Sequence, residues 1–140
     1  MEPEVEAISK EVFQLAQNFR NSLIFGINRN YIFRFSARDR MIGVNPLFDP
    51  ILRPLIPLLE ATCDVNHVYG DPTPWTFYKT LRRKPIVLTV ASEKGDIRPD
   101  FAANCGKIIV QTDRYRRRII SQGVDPEKVE LIYPGVDLSR

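Results

Sequence analysis

The sequence predicts an α/β domain built on a mostly parallel sheet flanked by helices, and three observations predict it. Val65 to Tyr69, Ile86 to Ala91 and Lys107 to Gln111 are near-continuous apolar runs, the composition of parallel strands covered on both faces. Segments suited to helices lie between or after these runs. Thr112 stands where a helix N-cap belongs, Tyr115, Ile119 and Ile120 follow on one helical face, and Gly123 occupies the place of a left-handed residue just past the helix end.

Taken in chain order, Val5, Ile8, Val12, Leu15, Ala16 and Phe19 fall at helical spacing, so a helix is expected from about Glu4 to Phe19, with Glu2, Glu4 and Glu6 at its dipole-favoured start. Leu23 to Ile27 and Tyr31 to Phe35 are β-prone runs joined through Asn28-Arg29-Asn30, either as a hairpin or as two strands meeting across a bend. Pro46, Pro50, Pro54 and Pro57 then interrupt an apolar stretch, leaving room for a short helix near Pro54 to Thr62. Pro72 to Arg83, with Trp75, Phe77, Tyr78 and Leu81, suits a helix between the first two parallel strands; these aromatics read as a core face in preference to a stacking platform. Asp125-Pro126-Glu127 turns the chain into a last strand, Val129 to Tyr133. No repeat or low-complexity linker divides the sequence, so residues 1–140 are expected to form one domain.

Composition bounds the chemistry. A chain of 140 residues, 44% hydrophobic and 26% charged, holds one real core and buries roughly two thirds of its unfolded surface. The most apolar region, Leu47 to Leu59, contains Asp49, Arg53 and Pro50, Pro54 and Pro57, and is too short to cross a hydrocarbon layer of about 30 Å. The acidic start Met1-Glu2-Pro3-Glu4 is unlike a secretory signal, which makes a cytoplasmic protein the expectation; Cys63 and Cys105 fit that compartment as free thiols. With His67 as its one histidine and no Cys-x-x-Cys, the sequence predicts no metal site. Its seven glycines are isolated, so no phosphate-cradling glycine loop can be written, and an Asp-x-Asp pair is absent; no cofactor is expected. The net charge of +3 permits anionic partners without requiring them.

From Lys107 to Asp137 the sequence reads KIIVQTDRYRRRIISQGVDPEKVELIYPGVD. This order of strand, hydroxyl residue, helix, Gly-Val turn, strand and Pro-Gly-Val-Asp resembles the retaining, two-domain glycosyltransferases of the GT-B fold, in the glycosyltransferase group 1 or family 4-like set. Lys84 to Val90, KPIVLTV, resembles the preceding family strand, and Asp64 to Gly70, DVNHVYG, the one before it. Glu4 to Ala16 resembles the first helix. The resemblance is strong from about Asp64 onward and thinner before it. It implies a Rossmann-like half of a GT-B fold, the N-terminal, acceptor-side domain, ending at the interdomain hinge at 134–137, of an enzyme transferring a hexose from a nucleotide sugar. Two departures qualify it. The family often has a histidine near the acceptor where this sequence has Ala91-Ser92-Glu93. The family's donor site lies in a C-terminal domain, so the expectation is a domain inactive alone, serving a separate C-terminal subunit, or a non-catalytic remnant or association module. The family's first strand has no counterpart before Glu4, so the sheet gap is expected to be closed by Leu23 to Ile27, by a partner or by domain swapping, with a homo-oligomer as one outcome.

The candidate acceptor-binding residues are His67, Gly70, Asp71, Ser92, Glu93 and Thr112. His67 reads either as a packed strand histidine or as a general base. Gly70 and Asp71 form either a plain Gly-Asp-Pro turn with Asp71 as an N-cap or a ligand-binding edge at the carboxyl end of a strand. Ser92 and Glu93 occupy the matching loop after the next strand, as solvated groups or as partners of a sugar hydroxyl. Thr112 is an N-cap or, with its helix N-terminus, a receiver of acceptor oxygens. Arg114, Arg116, Arg117 and Arg118 read as a solvated helix face, as a surface for an anionic acceptor or anionic membrane, which would make the protein peripheral there, or as a nucleic-acid contact. Nucleic acid is the least supported, since no recognition motif accompanies the run. The sequence names no catalytic residue.

Overall fold

The computed structural model describes residue 12, residues 14–19, 21–27, 33–36, 41–44 and 46–70, residue 81, and residues 83–91 and 96–133. Expected as one domain, the chain groups into two compact units, Met1–Leu55 and Ile56–Arg140, each taken by itself.

In the first unit, residue 12 and residues 14–17 are helical, and the rest of the helix expected from Glu4 lies outside the described residues. Ser22 closes this segment by donating to the carbonyls of Ala16 (2.8 Å) and Phe19 (3.2 Å). Three strands follow, β1 (Ile24–Ile27), β2 (Phe33–Ser36) and β3 (Met41–Val44), in the order β1-β3-β2. β1 runs parallel to β3 and β2 antiparallel to it. The two β-prone runs are therefore strands, but not a hairpin pair, because β3 lies between them. Leu23 to Ile27, expected to complete the sheet of the later strands, supplies β1 of this three-stranded sheet, with Met41 to Val44 as its ladder partners. Beyond β3, a 3-10 turn (Pro46–Phe48), α1 (Asp49–Leu52) and a second 3-10 turn (Arg53–Leu55) put Pro46, Pro50 and Pro54 near helical starts, where the missing N–H costs little. Leu47 is 84% exposed and Ile51 66%, while Met41 is buried.

The second unit carries the α/β architecture. After α2 (Ile56–Ala61) come β4 (Asn66–Gly70), β5 (Ile86–Val90), α3 (Pro99–Asn104), β6 (Lys107–Val110), α4 (Asp113–Ser121) and β7 (Val129–Leu131). The four strands form one sheet in the order β4-β5-β6-β7, and every neighbouring pair is parallel. The helix expected over Pro72 to Arg83 lies almost wholly outside the described residues; its Leu81 is buried in the core. α3 is an addition to the sequence reading, opened by Pro99 at its first turn with Asp100 beside it.

One face of this sheet is apolar and closed. Val68, Leu88, Ile108, Val110 and Val129 alternate onto it and are buried with Ala102, Tyr115 and Ile119 from the helices. The other face is mixed, apolar and polar. It carries His67 and Tyr69 of β4, Val87 and Thr89 of β5, Lys107 and Ile109 of β6 and Glu130 of β7; of these Thr89 alone is buried.

α4 is held by signals at both ends. Thr112 Oγ1 accepts the backbone N–H of Tyr115 (3.2 Å). At the far end Gly123 (φ 95°) donates to the Ile120 carbonyl at 3.0 Å and Val124 to the Ile119 carbonyl at 3.1 Å, the paired bonds of a Schellman ending. Glu60, 2% exposed at the end of α2, accepts from Asn66 Nδ2 (2.6 Å) and from the backbone N–H of Arg83 (3.3 Å), which anchors the start of β4.

Candidate functional site

Because the four strands are parallel and in register, Gly70, Val90, Val110 and Leu131 stand in a row at the carboxyl edge of the sheet. Ligands of open α/β sheets bind at this edge. Gly70 has φ 130°, a conformation that disfavours any side chain, and no heavy atom lies within 4 Å of the position a Cβ would take. Asp71, Ser92 and Glu93 fall outside the described residues.

His67 is the second residue of β4, so it stands on the mixed face and not at the strand's carboxyl end. Its Nε2 lies 2.8 Å from Thr89 Oγ1, and its ring centroid is 6.0 Å from that of Tyr69 at 50° between planes. The surrounding protein desolvates the ring and lowers its pKa from the usual 6.5, which favours the neutral imidazole. Nearer the edge, Gln111 Nε2 donates to Tyr69 Oη at 3.4 Å, reaching from the residue after β6 across β5 to β4. Thr112 beside it acts as the N-cap of α4. The structure thus joins His67 to three residues outside the sequence candidates: Thr89, Tyr69 and Gln111. Their signal was a polar group at the end of an apolar run.

The arginine run divides. Arg114, Arg117 and Arg118 line a shallow open depression with Asp113 and Ser121. Arg117 pairs with Asp113 one turn earlier, and Arg118 pairs with Asp96 while lying over the Tyr115 ring at 5.8 Å. Gln122 Nε2 also donates to Asp96 (3.1 Å), and this bond, then the Arg118 guanidinium, holds the Asp96 carboxyl below its usual range. Arg116 turns elsewhere: its Nε is buried without a hydrogen-bond partner, and its charge adds to that of Lys107 in lowering the Glu130 carboxyl pKa. Lys107 and Glu130 pair at 2.8 Å on the mixed face.

Among the described residues no three His, Cys, Asp or Glu side chains gather to hold a metal ion, and no helix is long and apolar enough to cross a membrane. Cys63 is half-buried and Cys105 buried, both as free thiols; burial pushes the Cys105 thiol up to about 11.

A parallel four-stranded sheet with its helices is a Rossmann-like α/β architecture. Compared with known proteins, the chain matches no family model, no curated protein and no solved structure.

Proposed function

We propose that this chain is the acceptor-side domain or subunit of a glycosyltransferase that moves a hexose from a nucleotide sugar, with the donor held by a separate C-terminal domain or subunit. The unit β6-α4-β7 carries the reading: the motif from Lys107 to Tyr133 falls in the strand, capped helix, Gly-Val turn and strand that the GT-B resemblance implies. Thr112, Gly123 and Val124 sit at the positions where that motif needs a cap and a left-handed turn. Fold alone does not assign activity. The test is transfer of labelled hexose from a panel of nucleotide sugars to a panel of acceptors. The chain is assayed alone, then with the polypeptide encoded beside it, which is also assayed by itself. Transfer that needs both polypeptides supports the reading; transfer by the neighbour alone, or by neither in any combination, removes it.

A second reading, a non-catalytic association module, is favoured by one observation. Leu47 and Ile51, with Phe48 and Leu55, leave a run of large apolar side chains exposed in the first unit, as association surfaces do. On this reading light scattering at micromolar concentration gives a dimer or larger particle, and Leu47→Ser with Ile51→Ser returns it to the monomer mass; a monomeric parent protein rejects it.

A further inference from the structure

We draw no further inference here: the strongest candidate, the shallow open depression that Arg114, Arg117, Arg118 and Ser121 line along α4, holds Arg117 and Arg118 already paired with Asp113 and Asp96, and nothing in the structure shows what covers it.

Discussion

Glu60 and Asn66 face each other at 2.6 Å across the turn from α2 into β4, with the Glu60 carboxylate 2% exposed. A carboxylate in that position is tolerated because it is bonded, here also to the backbone N–H of Arg83. Glu60→Ala leaves the Asn66 amide and the Arg83 N–H without this acceptor and is expected to lower stability by about 1–3 kcal/mol in urea unfolding. Glu60→Gln, which keeps an acceptor oxygen, is expected to lose less. Equal stability of all three proteins would show that the contact contributes nothing.

The end of α4 makes a second quantitative expectation. Gly123 has φ 95°, and no heavy atom lies within 4 Å of where a Cβ would stand, so Gly123→Ala incurs only the backbone cost, about 1 kcal/mol. Thr112→Ala at the other end removes the N-cap bond, also at about 1 kcal/mol. The sites lie at opposite ends of the helix, so the double variant should show a nearly additive loss in thermal unfolding. A Gly123→Ala protein as stable as the parent would contradict the left-handed ending.

His67 sets a pH dependence whose sign follows from its lowered pKa. Below the unfolded value of 6.5 the unfolded chain takes up a proton that the folded ring resists, so this contribution is complete above 6.5 and is lost as pH falls from 6.5 through the folded value. Unfolding free energy measured at about pH 7.5 and about pH 5.5 should fall in the parent protein and fall less in His67→Gln. The carboxyls of Asp96 and Glu130, held low by their partners, lose their contributions only below the usual carboxylate range. An identical drop in both proteins would move the effect away from His67.

For the basic helix, the separation of Arg116 from Arg117 changes which variant is informative. Arg114→Glu with Arg117→Glu alters the open depression and is expected to reduce sedimentation with vesicles containing anionic lipid, with the difference fading in high salt. Arg116→Glu would instead place a carboxylate where a half-buried guanidinium now sits. Equal sedimentation of the parent and the doubly substituted protein would leave α4 as solvated surface.

What the sequence made legible is what local chemistry encodes. β4, β5 and β6 announced themselves through short apolar runs, β7 through the Asp125-Pro126-Glu127 turn before it, and α4 through Thr112 and Gly123, because a cap and a left-handed residue act within one helical turn. β3 was missed: Met41-Ile42-Gly43-Val44 is four residues long, and Gly43 weakens its β signal. Its place between β1 and β2 is a long-range fact that the Asn28-Arg29-Asn30 connection does not disclose. α3 has six residues and little periodicity to read; only Pro99 and Asp100 mark its start. In the candidate site, His67 was visible as a lone histidine, whereas the bond between Tyr69 and Gln111 spans 42 residues and depends on strand order, which no local pattern carries.

The two thiols differ enough to be chemically distinguished. With Cys105 buried and that burial pushing its thiol up to about 11, alkylating reagents meet the half-buried Cys63 first. The native sequence therefore offers a single attachment point for a fluorophore or spin label, close to where α2 hands the chain to β4, with no engineered cysteine required.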